Sequence, residues 1–380
     1  MGYSASPVIT NTQRLGVLSD LDVTLASLLE TLSPVAPSSV PLAEALGCIA
    51  AEISPLSQAL PSFPTAVIDG WAFRALELTG ASSYSPLPLA GWPTWVEAGQ
   101  CMPEGCDCVL DADLVENAGP MGQVLAEALP GQGARRVGED MAKGRTVTIA
   151  GQQLGELDLL VARSIGLSHL AVRRPHVHVI NVPATGADAS TAQLIGECLQ
   201  ASGARLTCTQ AHGRHVASIT RALETVASDL LVLVGGTGVG RTDATIGALS
   251  ARGKLLAHGI ALHPGRTTAM GWIAGSAVVA VPGAPAHALA AWWTVVQPVL
   301  DRLSSRKPRR ETVLPLLRKI SSSVGVTEIV LLEQIDAAWI PLATGDLSLE
   351  HIARADAWLA VPGDSEGYAA RKLVGAYAIR

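Results

Sequence analysis

The chain has 380 residues, 48% of them apolar and 16% charged, with a formal net charge of −6. The length allows roughly two to four domains, each with a sizeable core. The acidic balance, with no basic stripe, excludes a general nucleic-acid binder. The six cysteines (Cys48, Cys101, Cys106, Cys108, Cys198 and Cys208) include no CxxC pair. They read as ordinary thiols of a reducing, cytoplasmic compartment, with a metal site at Cys101, Cys106 and Cys108 as the minor reading. The first residues carry no basic-then-apolar leader, and no uninterrupted apolar run reaches about 18 residues, so no membrane span is expected.

In chain order, residues 1–17 show no period. Leu21, Leu25, Leu28, Leu29 and Leu32 recur at helical spacing, with Ser19 or Asp20 as the cap. A second short helix is expected over Leu42–Ile49, between Pro41 and the extended stretch forced by Pro55, Pro61 and Pro64. Asp69-Gly70-Trp71-Ala72 follows, an ordinary turn or a site. From 85 to 130, short apolar runs split by Pro and Gly predict a small all-β module. Arg135-Arg136-Val137-Gly138-Glu139-Asp140 is usually a solvated ion-pair cluster. Functionally, its arginines would bind an anion and Asp140 would accept from a donor or hold a metal. Leu154–Ile165 is helical in pattern.

At Pro175 the texture changes. The strand at 176–182, helix at 190–201, strand at 205–211, helix at 216–227 and strand at 229–234 alternate with short connections. This predicts a mostly parallel sheet with helices on both faces, whose ligands bind at the carboxyl ends of the strands. A strand at 277–281, broken by Pro282-Gly283-Ala284-Pro285, leads into a closing helix over 286–303 with a kink expected at Pro298. Ser304–Arg310 (SSRKPRR) reads as a linker, and the rest as a small β module.

The run Val232–Thr245, VLVGGTGVGRTDAT, carries the strongest chemical signal. A strand that empties into glycines and reopens as a helix is a phosphate-cradle pattern, because free N–H groups there can approach an anion closely, although such a turn alone is as often a tight connection as a ligand site. It is neither a P-loop nor a GxGxxG fingerprint, since the glycines stand at 235, 236, 238 and 240 and no Gly-Lys-Ser/Thr follows. Asp243 suits a Mg²⁺ shared with phosphates.

Together these blocks resemble the molybdopterin molybdotransferases, the MoeA and gephyrin E-domain family. Asp69–Ala72 is similar to that family's DGYA, and Pro103–Val109 to its PEGaDaV turn. Arg135–Asp140 resembles R-x-x-GED, and Arg173-Arg174-Pro175 with Thr185-Gly186 resembles rrP…TGDE. Pro264-Gly265 and Pro282-Gly283-Ala284-Pro285 look like kPGkP and LPGNP. The glycine loop instead is similar to the GGTG…RDxT of the MogA/MoaB adenylyltransferases.

The resemblance implies a multidomain α/β fold. An N-terminal linker domain would span 1–74 and 138–174, an inserted β domain 75–137, a MogA-like three-layer domain 175–305, and a C-terminal β domain 306–380. It implies insertion of molybdate into adenylylated molybdopterin with release of AMP, using Mg²⁺ on Asp243. Gly235, Gly236, Thr237 and Gly238 would hold phosphate. Asp69, Asp140, Asp188, Thr185, Gly186, His263, Arg266, Pro282 and Gly283 would surround the pterin, molybdate and nucleotide. A homodimer with the site between subunits is implied, with a client molybdoenzyme or an adenylyltransferase as a further partner.

The departures fall on polar positions. Ala187 and Asp188 replace Asp-Glu of TGDE, and Gly213-Arg214-His215 stands where an Asp is usual. Gly259 and His263 replace two lysines, Ala98 a threonine, and Ala284 the asparagine of PGNP. These losses motivate a second reading, a non-catalytic carrier of molybdopterin or finished cofactor. The GGTG form motivates a third, molybdopterin adenylyl transfer from ATP.

Overall fold

The structure, a computed structural model, describes residues 13, 15–52, 55–118, 121–184, 189–224 and 227–379. By internal contacts the chain forms two compact units, one of Met1–Glu52, Ala150–Leu159 and Ser168–Arg380, the other of Ile53–Ile149 and Leu160–Leu167.

The first unit is built on a six-stranded sheet. Its elements are β1 (His176–Asn181), α1 (Ser190–Ala201), β2 (Arg205–Gln210), α2 (Val216–Ala222), β3 (Leu230–Val234), α3 (Thr245–Arg252), β4 (Lys254–His258), β5 (Ala269–Ile273), β6 (Ser276–Val281), α4 (Pro285–Ala291) and α5 (Gln297–Ser304). The strand order is β2-β1-β3-β6-β5-β4. β1 pairs in parallel with β2 and β3, and β3 with β6. β5 and β4 add an antiparallel edge.

Alternate residues of β3 enter opposite cores. Leu230, Val232 and Val234 pack with Leu199, Val295 and Val296, while Leu231 and Leu233 pack with Ile219 and Leu249. A strand covered on both faces is apolar at every position, which is why LLVLV shows no alternation. Each such side chain stabilises the fold by about 1.5–3 kcal/mol.

Three expectations need correction. The helix expected over Leu42–Ile49 is a 3₁₀ turn, Leu42–Glu44. Gly47, at φ +76°, turns the chain out of it, and Ile49–Ala50 then pair with Val172 and Arg173. The helix begun at Val216 ends at Ala222, with Leu223 as its cap. The closing helix is not simply kinked at Pro298: Trp292–Val296 form a π-helical turn just before it. Pro298 offers no N–H to the carbonyl four residues back, and the wider turn absorbs that gap. The Leu21–Glu30 helix follows its leucine period, and Asp20 caps it by accepting from Val23 N at 2.9 Å.

The SSRKPRR stretch is held rather than loose. Arg309 donates two bonds of 2.8 Å to Asp301, and Lys307 N donates to Gly151 O at 2.9 Å. The C-terminal strands beyond it, joined by the earlier strand 262–263, form a second six-stranded sheet, whose order runs 262–263, 327–335, 357–361, 373–378 and 312–315, with 338–344 beside 327–335. Trp358 from this sheet stacks on Trp293 at 5.1 Å, so the two layers share one core.

The second unit is all β apart from short turns and the end of a helix. Gly70–Phe73 runs between Thr94–Val96 and Cys108–Leu110. A Cβ on Gly70 would lie 2.1 Å from Leu110 O, so the DGWA glycine is fixed by backbone crowding. Trp71 packs against Trp92 and Trp95, at 5.7 and 5.1 Å.

His178 is fully buried on β1. One ring nitrogen lies 2.7 Å from Thr209 Oγ1, and the other has no partner among the described residues. Burial, and secondarily His176, hold its pKa below the ordinary value. The contribution is therefore present above about pH 6.5 and is lost as pH falls through the lowered folded pKa. Melting scans should show a lower Tm at pH 5 than at pH 7, with a shallower dependence in His178→Asn; equal slopes would remove His178 from the account.

Candidate functional site

The site is made at the carboxyl rim of the parallel strands. β3 runs out of side chains at Val234 and enters Gly235, φ +96°, and Gly236, φ +68°. A Cβ would stand 2.8 Å from Val182 O at Gly235 and 2.5 Å from Thr245 Oγ1 at Gly236. Both glycines are thus required by left-handed backbone and by close packing.

The carbonyls of this loop are held by hydrogen bonds, His258 Nε2 lying 2.9 Å from Thr237 O. Thr245 Oγ1 donates to Gly235 O at 2.8 Å, and Thr245 N to Gly236 O at 3.1 Å. The Gln13 amide donates to Gly236 O and Gly238 O at 3.1 and 2.7 Å. It also accepts from Ile246 N at 2.7 Å, tying the loop to the start of α3. The N–H groups of Gly236, Thr237, Gly238 and Val239 have no acceptor among the described residues.

These four residues line a cavity of about 470 Å³. The end of β1 supplies Asn181 and Val182, the end of β6 supplies Pro282 and Gly283, and Arg214, Asp243, Arg266 and His287 bring charge and polarity. Burial first, then His263 and Arg266, push the His287 pKa down, so its imidazole is neutral near pH 7. Among the described residues, two arginines against one carboxylate make the cavity attractive to an anion.

Asp243 does not present an open carboxylate. Its Oδ1 accepts from Arg214 Nη2 in an ion pair, and its Oδ2 accepts from Gly240 N at 3.0 Å. The side chains are 19% and 14% exposed, so solvent screens the pair only in part. Magnesium takes six oxygens in near-octahedral array and is held by free carboxylates together with phosphate. A single carboxylate already bonded to a guanidinium does not fit that ion. No group of three His, Cys, Asp or Glu side chains is placed to hold a metal among the described residues. The cysteines are all free, and burial pushes the Cys108 thiol up to about 11, away from the thiolate a metal needs.

Of the residues singled out in the sequence, Gly235, Gly236, Thr237, Gly238, Asp243, Arg266, Pro282 and Gly283 come together on this cavity. Thr185, Gly186 and Asp188 lie outside the described residues. His263 is not among the cavity walls: it lies half exposed, with Nδ1 3.7 Å from Glu328 Oε1. Asp69 and Asp140 belong to the other unit. There Asp69 Oδ1 accepts from Ala98 N at 2.7 Å. Asp140 pairs with Arg135, and Glu139 Oε2 accepts from Arg136 N at 2.8 Å. With side chains 48% and 38% exposed, the Arg135–Asp140 pair is the solvated kind, contributing about 0.2–1 kcal/mol.

Arg214 and His287 line this cavity and Gln13 holds its loop, and the sequence reading singled out none of the three for a role. Arg214 was visible only as a missing acid, and Gln13 sits where the sequence has no period at all.

Two family models match the chain: the MoeA N-terminal region (domain I and II) over residues 20–166, and a probable molybdopterin binding domain over 180–302. Molybdopterin molybdenumtransferase 2 of Mycobacterium tuberculosis is 28% identical over 328 residues, covering 75% of this chain and 80% of that protein. Molybdopterin molybdenumtransferase of Haemophilus influenzae is 28% identical over 281 residues, covering 65% and 68%. The structure of the molybdopterin biosynthesis MoeA protein of Pyrococcus horikoshii superposes with a TM-score of 0.69 at 21% identity, covering 95% of this chain and all of that one.

Proposed function

The chain belongs to the MoeA family of molybdenum-cofactor biosynthesis, and on that premise we propose that it is a molybdopterin molybdotransferase. Its substrates are adenylylated molybdopterin and molybdate, and its products are molybdenum cofactor and AMP. The observation that carries this reading is the row of unbonded N–H groups at Gly236–Val239 in a cavity bearing Arg214 and Arg266. The row cradles phosphate oxygens, and the two guanidinium groups offset charge as the phosphoanhydride opens. The neutral His287 leaves the balance of charge to the arginines.

On this reading Thr185, Gly186 and Asp188 take part in holding pterin, molybdate and nucleotide, and Asp69 and Asp140 act from the second subunit of the homodimer. The four-part division at 1–74 with 138–174, 75–137, 175–305 and 306–380 is the domain scheme that goes with it. The working form is a cytoplasmic homodimer that hands its product to a client molybdoenzyme. Light scattering at micromolar protein should return twice the chain mass; a monomer mass would count decisively against the dimer.

The deciding assay is AMP release from adenylylated molybdopterin with and without molybdate. The native chain should release AMP only when molybdate is present. A carrier is favoured by one observation, that His263 is directed to Glu328 and leaves Arg266 as the cation of its segment on the cavity. Tight pterin binding with no AMP release under either condition would replace the transferase by that carrier.

A further inference from the structure

We infer that Arg214 is the resident cation of the phosphate cradle, standing in the role of a divalent metal, so that this cavity binds a phosphate group without a metal ion. The inference rests on the proposed function only in taking the phosphate from an adenylyl group.

The argument starts from topology. β1 lies between β2 and β3 in the sheet. Arg214 leaves the loop after β2, passes the end of β1, where Nη1 donates to Pro183 O at 3.2 Å, and reaches Asp243 beyond β3. Three strand ends are therefore joined by one side chain. The two anchors fix the plane of the guanidinium, since a carbonyl holds Nη1 and a carboxylate holds Nη2.

The fork is not used up by these anchors. Arg214 has five N–H donors. Its buried Nε has no partner among the described residues, and the side chain forms part of the cavity wall. A planar, permanently charged group with spare donors suits a phosphate oxygen. The adjacent row of free N–H groups at 236–239 supplies the remaining donors. Asp243 explains why the charge stays in place: it accepts from Arg214 on one oxygen and from Gly240 N on the other, so it positions the arginine against the loop. The same two bonds occupy the oxygens that a metal would need. Arg214 thus does at this site what an ion would do, bringing positive charge to the phosphate.

The test is calorimetric titration of AMP into the full chain, in EDTA and in millimolar Mg²⁺. The native chain should bind AMP with the same Kd in both. Arg214→Ala should bind about tenfold or more weakly in EDTA, because a charged hydrogen bond is lost. Mg²⁺ should recover part of that loss, because the Asp243 carboxylate is then open. Arg214→Lys, which keeps the charge without the fork, should fall between the two. Circular dichroism checks that the variants fold, and the native comparison stands without them. Native binding that needs Mg²⁺, no native AMP binding in either buffer, or an Arg214→Ala Kd unchanged in EDTA would each overturn the inference. Metal-independent AMP binding without molybdate-dependent AMP release would sink the transferase reading and leave this one standing.

Discussion

Asp243→Ala is expected to release AMP on the order of 100-fold more slowly than the native chain, the usual effect of losing one positioned charge-stabilising group. The substitution removes the acceptor of both Arg214 Nη2 and Gly240 N. Arg214 keeps its charge and its bond to Pro183 O, and the N–H row at 236–239 keeps its free donors. AMP should therefore still bind, with a Kd changed far less than the rate. What is lost is alignment: a guanidinium held at one end can swing away from the breaking anhydride. Measuring both quantities on one preparation makes the split visible. An unchanged release rate would remove Asp243 from the chemistry, and equal losses of rate and affinity would mean that it serves binding alone.

Gly236→Val should strongly destabilise the central domain. At φ +68° a β-branched residue carries backbone strain, and its Cβ would stand 2.5 Å from Thr245 Oγ1 and 3.1 Å from Val182 Cγ1. Strain and overpacking together are expected to cost about 3 kcal/mol or more. At about 2–4 °C per kcal/mol, the Tm should fall by roughly 6–12 °C. Gly275→Ala is the control: its φ is +90° but no atom lies within 4 Å of the added Cβ, so it carries backbone strain alone. Similar Tm losses in the two variants would show that crowding at Thr245 is not what fixes Gly236. The added carbon meets the fold rather than the cavity. The substitution therefore attacks the loop's own packing, and loss of ligand follows from that.

The fold was legible where sequence period and burial coincide. Ser190–Ala201 has the bounds that its pattern predicts, and the apolar run before Gly235 is a central strand buried on both faces. The β4–β5 pair was not read from the sequence. Its strand register is interrupted between Leu255 and Ala257, and Gly271 lies 2.4 Å, by its added Cβ, from Lys254 O, so neither strand shows clean alternation. The glycine loop was legible because glycines that need positive φ cluster there. Arg214 beside it was not. Arg214 and Asp243 are 29 residues apart, on loops after different strands, and only the sheet order brings them together. Comparison with a family motif registers such a residue as an absence, because the acid is gone and the arginine has no assigned place.

The Gln13 amide has a consequence in time. Its three bonds reach Gly236, Gly238 and Ile246, at separations of 223, 225 and 233 residues. At synthesis rates of roughly 5–20 residues per second, Gln13 leaves the ribosome on the order of ten seconds or more before its partners. The clasp thus forms only after β1, β2 and β3 have been made, by a residue synthesised well before them. Among the described residues this clasp is the longest loop closure at the site, joined by one side chain. Hydrogen exchange at Ile246 N should therefore report opening of the clasp well before the strands of the sheet let go.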